Sequence, residues 1–363
     1  MSKLRVGLIG ANVGYGWSPI AHLPALAGLP EFELAAVCTA HEATSRESAA
    51  KYGARLAFHD HREMLARDDI DIVGVVVRVP NHHQLTMDAL EAGKHVYTEW
   101  PLGKNLREAE EMAALSHKKD VHTMVGLQGR CWPDILRLKE LVDEGYLGDV
   151  LAVNLSAFFS GILSRTSGRT WQKDVELGAT SMTIGFGHVI DALCMIFGEF
   201  SEVASVVRTQ VRQWHETDTG RTVNVTSPDN VLVSGTLDSG AVVSAHFATI
   251  PWHESPYRLQ AYGREGTLIV DTDETSVQPT MRIRGGKADE SGLTELTVPQ
   301  RLTWVPESVP QGPPFNVAQM WRRFGEAIRS GERAEPDFDT AVTRHRLLDA
   351  IQSASDTGQR QTL

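Results

Sequence analysis

Cysteine is scarce. Cys38, Cys131 and Cys194 are the only three, far apart and with no Cys-x-x-Cys pair. An odd, scattered set builds neither a disulfide framework nor a zinc site, and it suits a reducing compartment. Long apolar runs are missing too. None reaches the about 20 residues that a membrane span needs, and the start, MSKLRVGLIG, lacks a signal-like apolar core. Positive charge is in deficit: 35 Lys and Arg stand against 46 Asp and Glu, a net charge of −11. That argues against nucleic acid or an anionic membrane as partner, though not against a small anion in a local basic pocket. Repeats, low-complexity linkers and the HExxH, GxSxG, P-loop and EF-hand patterns are absent. HDHRE (His59–Glu63) is read as a solvated helix start, so no metal is expected. The expectation is a cytoplasmic globular protein of one or two domains.

What is present is an alternation. LRVGLIG, FELAAVCT, DIVGVVVRV (Asp71–Val79), HVYTEW and VHTMVGLQ are apolar runs suited to strands buried on both faces. Helical stretches separate them, the first being SPIAHLPALAGL with Ser18 as N-cap and Pro19 at the first helical position. The order predicts a doubly wound parallel sheet with ligands at the carboxyl ends of its strands. After one more helix, WPDILRLKELVDEGYLG, the pattern turns to alternating strands: VLAVNLSAFF, VASVVRTQVRQW, a DNVLVSGTLDSGAVVSAHFATI hairpin and YRLQAYGREGTLIVD. One helix, GFGHVIDALCMIFG, interrupts them, and two helices close the chain. The fold class is α/β: a Rossmann domain over 1–128 and an α/β domain with a large, mostly antiparallel open sheet over 129–363. Segments 285–292 and 306–314 are read as mobile loops.

GLIGANVGYGW lies between the first strand and a helix, where glycines allow a tight turn and close approach to a pyrophosphate. The spacing is imperfect. Gly10 opens the motif, Asn12 and Tyr15 replace glycines, and Gly14 and Gly16 lie one residue off. A dinucleotide site and a plain βα turn both remain open. After the second strand come Thr39 and His41, then Ser45 and Arg46, with Glu42 the nearest acid. A hydroxyl and basic groups could accept a 2′-phosphate, so the cofactor is NAD or NADP with a lean to NADP, against a reading of solvated loop residues.

Four segments together resemble the Gfo/Idh/MocA oxidoreductases: VVVRVPNHHQLTMDALEAGKHVYTEWPLGKNLREAEEM, MVGLQGRCWPDILRLKELVDEGYLGDV, GHVIDALCMIFG and DTAVTRHRLLDAIQSA. The lengthened glycine turn points to the Gal80-like branch, which holds both a non-catalytic regulator and proteins taken as dehydrogenases. The resemblance implies that Pro80, Asn81, His83 and Glu99 line the nicotinamide side, and that the last helices pack back toward the Rossmann domain. Trp100 stands where the family carries a lysine. An indole N–H donates but does not titrate, so Trp100 could orient or stack on cofactor or substrate but not act as base. Lys104 is read as a solvent-exposed lysine. The family's Asp-x-x-x-His-x-x-Asp appears here as Ile184, His188 and Asp191, which leaves His188 as the candidate acid/base. A packed core histidine is its alternative. Asp191 is read as structural or as a partner of His188. Arg130 and Trp132 are expected at the substrate, with Trp171 and Trp252–His253 as weaker candidates.

The function expected is NAD(P)-dependent oxidation or reduction of a sugar, cyclitol or related polyol. The alternatives are a cofactor-binding sensor of the Gal80 type, or an enzyme cycling its cofactor during elimination, hydrolysis or epimerisation. The open sheet face predicts a homodimer or homotetramer.

Overall fold

The computed structural model describes residues 2–272 and 281–363, and the chain divides into two compact units. Met1–Cys131 with Thr303–Thr343 form one; Trp132–Leu302 with Arg344–Leu363 form the other.

The first unit is built on six parallel strands: β1 (Leu4–Ile9), β2 (Phe32–Cys38), β3 (Leu56–Phe58), β4 (Ile72–Val75), β5 (His95–Glu99) and β6 (Thr123–Gly126). Their order is β3-β2-β1-β4-β5-β6, a doubly wound sheet reversing between β1 and β4. Helices α1 (Leu23–Gly28), α2 (Glu42–Tyr52), α3 (His61–Leu65), α4 (His82–Glu91) and α5 (Leu106–Lys119) connect them. Strands β4 and β6 are wholly buried, which is why their sequences read as unbroken apolar runs.

Three details differ from the sequence reading. Edge strand β3 has three residues, too few to show a period. Strand β4 stops at Val75, because the approach to Pro80 turns into a 3-10 turn over Val79–Asn81. Ser18 is not an N-cap. Ser18–His22 form a π-helical turn leading into α1, Trp17 is the capping residue, and no side chain bonds at the cap.

In the second unit, α6 (Pro133–Asp143) leads into β7 (Val150–Phe159), β8 (Ser164–Arg165) and α7 (Gly187–Phe197). There follow β9 (Phe200–Arg208), β10 (Gln213–Glu216), β11 (Thr222–Asn224), β12 (Asn230–Leu237), β13 (Val242–Thr249), β14 (Ser255–Gly263), β15 (Gly266–Thr272), β16 (Met281–Lys287), β17 (Thr294–Leu296) and β18 (Gln361–Thr362). Nine of these strands make one sheet, β17-β16-β15-β14-β7-β13-β12-β9-β18, antiparallel except between β7 and β13. The β12–β13 hairpin turns at Gly240, with φ +87°. In β12, Val231, Val233 and Leu237 point inward and Leu232 outward. The outward face also carries Val206, Val242 and Tyr262, all exposed. VASVVRTQVRQW is two strands, not one: β10 leaves the large sheet and pairs with β8 and β11. Residues 285–287, read as loop, lie in β16.

Helix α8 (Pro313–Ser330) returns the chain to the first unit, and α9 (Phe338–Thr357) begins there and ends in the second. Trp321 and Phe324 of α8 are fully buried in the core formed with Leu8, Phe32 and Tyr97. The Tyr97 and Trp321 rings lie 4.8 Å apart. Among the described residues, no helix is long and apolar enough to cross a membrane.

Candidate functional site

The candidate site of the first unit lies along the carboxyl ends of its strands. Gly10, just past β1, has φ +86°, and a Cβ there would stand 2.1 Å from the Val76 carbonyl oxygen. Only glycine fits that position. The loop beyond is held by one polar contact of its own and one from α2. Asn12 Oδ1 accepts from the Gly14 amide at 2.9 Å, and Lys51 Nζ donates to the Val13 carbonyl at 3.2 Å. Gly14 and Gly16 have open space around them, Gly16 at φ +88°. Tyr15 between them is exposed and accepts from Arg78 at 3.1 Å. At the start of the π turn, Ser18 is fully buried and its hydroxyl has no hydrogen-bond partner. A close-approach glycine followed by an unsatisfied hydroxyl at a helix start suits a dinucleotide phosphate, which accepts hydrogen bonds there.

The centre of the site is Glu99, the last residue of β5. His22 Nε2 lies 2.8 Å from its Oε1, and the Gln128 side-chain amide reaches both carboxylate oxygens at 3.0 Å. Trp321 Nε1 is 3.1 Å from His22 Nδ1. Indole can only donate, so Nδ1 accepts and the proton of a neutral His22 sits on Nε2, directed at Glu99. Gly126 makes room for this carboxylate: a Cβ there would fall 2.6 Å from Glu99 Oε1. His22 is a residue that sequence reasoning passed over. Its partners stand 77 and 299 positions away, so no local spacing marks it.

Trp100 is buried and joined to Pro101 by a cis peptide. The Pro101 carbonyl lies 2.8 Å from His82 Nδ1, and the Val77 carbonyl 3.1 Å from His82 Nε2. Burial pushes the His82 pKa down, and the two carbonyls oppose that shift. His82, not His83, is therefore the histidine turned inward under the strand ends. His83 pairs with Glu111 on α5 at 2.8 Å. Asn81 is exposed at the start of α4 and makes no capping bond, while Pro80 lies in the turn before it. Lys104 Nζ sits 3.1 Å from Glu108 Oε1, so it is a paired, partly covered side chain. Arg130 is buried in the turn after β6, where Gln319 Nε2 holds the Cys131 carbonyl at 2.7 Å.

The groups read as 2′-phosphate acceptors are engaged locally. The Thr39 hydroxyl bonds the His41 carbonyl and Thr44, Ser45 Oγ donates to the Glu42 carbonyl, and Arg46 pairs with Glu42.

In the second unit, Thr180 and Thr183 form a capping box that opens a π-helical turn, Ser181–Phe186, containing Ile184. His188 follows as the second residue of α7 and is half-buried. Asp191, one turn on, is 1% exposed and accepts from Arg344 Nε at 3.2 Å. Arg344 also grips Glu199 with both terminal nitrogens, at 3.1 and 2.8 Å. Burial disfavours the Arg344 charge, but Cys194, Asp191 and Glu199 around it raise its pKa overall. Asp191 thus lies in a buried ion cluster with Arg344 and Glu199. Trp132 is the residue before α6, its side chain bonding Asp134, and Trp171 lies in the turn Ser167–Lys173; both are half-buried. Trp252 is exposed, and His253 has φ +54°. No cluster of His, Cys, Asp and Glu among the described residues could hold a metal ion.

A switch-point sheet ending in a close-approach glycine and a buried carboxylate puts the first unit in the class of nucleotide-binding Rossmann proteins. Comparison with known proteins narrows this. Residues 4–127 match the oxidoreductase family with an NAD-binding Rossmann fold, and residues 133–272 match the Gal80p C-terminal domain. The first match is a Gfo/Idh/MocA oxidoreductase domain and the second a Gal80p C-terminal-like domain. It is 27% identical over 379 aligned residues to dehydrogenase aclE of Aspergillus oryzae, covering 99% of this chain and 98% of that protein. It is 29% identical over 264 residues to the galactose/lactose metabolism regulatory protein GAL80 of Saccharomyces cerevisiae, covering 68% of this chain and 61% of that one. Levoglucosan dehydrogenase, solved with NADH and L-sorbose, shares the fold with a TM-score of 0.85 at 21% identity, over 100% of this chain and 99% of that one.

Proposed function

We propose that the protein is an NAD(P)-dependent oxidoreductase acting on a hydroxyl or carbonyl group of a sugar, cyclitol or related polyol. The observation that carries this is the Glu99 network. A buried carboxylate held by His22 and Gln128, with the His22 proton fixed by Trp321, is a preorganised polar group at the strand ends. The network stabilises the fold, and it also leaves a fixed negative charge where a ligand of this sheet would lie. Dehydrogenase relatives and a fold neighbour solved with NADH and a sugar support the same reading.

Gly10, Ser18 and Glu99 would hold the dinucleotide. When bound, it supplies the hydride acceptor or donor. The chain manages the substrate and its proton. His188 takes the hydroxyl proton on oxidation and returns it on reduction. Trp100 and Arg130 orient the substrate: the indole N–H donates one bond, and the guanidinium donates in pairs. Asp191 is committed to Arg344 and positions α7. Trp132 and Trp171 offer apolar plates to a sugar ring.

A second reading is a cofactor-binding sensor of the Gal80 type, favoured by Trp100 in place of a titrating group and by the Gal80p-like second unit. One experiment separates the two. Purified protein is mixed with NAD+ or NADP+ and a panel of sugars and cyclitols, and reduced cofactor is followed by absorbance. Turnover abolished in His188→Ala supports the enzyme. Saturable cofactor binding with no reduction across the panel supports the sensor.

A further inference from the structure

Arg165, Arg169 and Lys173 recur every four residues along β8 and the turns after it. Among the described residues none of the three has a carboxylate within ion-pair reach, in a chain with an excess of acids. Arg165 is the anomaly. Its guanidinium lies 4.4 Å above the ring of Trp214, which is 2% exposed. Its one side-chain hydrogen bond is a long one, 3.3 Å from Nη1 to Gln172 Oε1, and its Nε is buried without any partner. The Trp214 indole N–H is buried and unpartnered as well.

The neighbouring acids do not answer this charge. Glu216 faces Arg165 across the β8–β10 pairing, yet its carboxylate is taken by Thr170 at 2.8 Å, Thr219 at 2.5 Å and Arg221 at 2.8 Å. Asp218 accepts from the Ser167 amide and hydroxyl at 2.7 and 2.6 Å. Asp174 caps the next turn through the Glu176 amide at 3.1 Å. Burial and then repulsion from Arg169 push the Arg165 pKa down to about 10, so it stays cationic at neutral pH. A guanidinium has five donors. Here Nε is buried without a partner, a free-energy cost that an anion bound to the guanidinium would offset.

We propose that Arg165 and Arg169, with Lys173 one step further along the same turn, form an anion subsite that takes the carboxylate or phosphate group of a small ligand. Trp171, a candidate sugar plate, lies between Arg169 and Lys173 in the chain. Combined with the oxidoreductase reading above, on which this last step rests, the substrate is a sugar acid or sugar phosphate rather than a neutral polyol.

The test is calorimetric titration of the full chain with inorganic phosphate, gluconate, glucose 6-phosphate and glucose at constant ionic strength. The three anions bind saturably, and glucose binds more weakly. Arg169→Gln, at an exposed position, and Arg165→Gln each weaken anion binding about tenfold while melting temperature and NAD+ affinity hold. Unchanged anion binding in Arg169→Gln, or binding that sodium chloride abolishes equally in wild type and variants, overturns the subsite. Turnover of neutral polyols that is indifferent to added anion overturns it too and leaves the oxidoreductase reading standing. Anion binding lost in both variants, with no cofactor reduction on any substrate, supports the subsite and counts against the oxidoreductase.

Discussion

Glu99 can be tested by two replacements that separate shape from charge. In Glu99→Leu the His22 Nε2–H loses its acceptor. His22 is 0% exposed and cannot turn to water, because Trp321 already occupies Nδ1. An unsatisfied buried donor costs about 1–3 kcal/mol. Gln128 is half-buried and can swing outward, so it adds little. The expected loss is about 2 kcal/mol by urea unfolding. In Glu99→Gln the new carbonyl still accepts from His22, and Gln128 can turn its own carbonyl toward the new amide. Only the charge component of these bonds disappears, so the loss is about 1 kcal/mol. The decisive assay is a double-mutant cycle with His22→Phe. Contacting residues in one network couple by about 0.5–3 kcal/mol. A coupling of zero, or a Glu99→Leu variant as stable as the parent, refutes the tautomer argument. If Glu99→Gln nevertheless binds NAD+ much more weakly, the carboxylate serves the ligand as well as the fold.

Other outcomes follow from the same geometry. Arg344→Met strands Asp191 in the interior and lowers stability by about 3–5 kcal/mol, read by chemical denaturation; a loss below about 1 kcal/mol would falsify the structural assignment of Asp191. Gly10→Ala meets both a positive φ and the Val76 carbonyl, so it costs about 3 kcal/mol and abolishes NAD+ binding, while Gly14→Ala, with open space around it, leaves both unchanged. His95 has its pKa lowered from 6.5 to about 4 by burial and then by His122. The unfolded state binds this proton first. The stability contribution is complete above pH 6.5 and lost as pH falls toward 4, by up to about 3 kcal/mol. His95→Asn flattens that part of the pH–stability profile, and an unchanged slope counts against the assignment.

The strand–helix alternation was legible because strands buried on both faces read as apolar runs and because Gly53 and Gly198 punctuate helix ends. Strand β3 was not legible, being too short to show a period. The β9–β10 break was not either, since VASVVRTQVRQW keeps a strand-like composition through the change of sheet. At the site, Gly10, Glu99 and Trp100 carry local signals: a glycine turn and an acid before proline at a strand end. His22, His82 and Arg344 carry none. Each is defined by a partner from a distant element, and burial of a polar side chain is invisible until that partner is placed. That His82 rather than His83 is the buried one was hidden for the same reason: adjacent helix positions point different ways, and only the packing of α4 decides which one faces inward.

The return of α8 to the first unit has a consequence for biosynthesis. Residues 4–126 hold all six Rossmann strands, yet Trp321 and Phe324 follow about two hundred residues later in the chain. As the chain leaves the ribosome, the nascent sheet carries an uncovered apolar wall of Leu8, Phe32 and Tyr97, and His22 has no donor for Nδ1. The entire second sheet except β18 must be translated before α8 can close that wall. The first unit is thus completed only after most of the second has been translated.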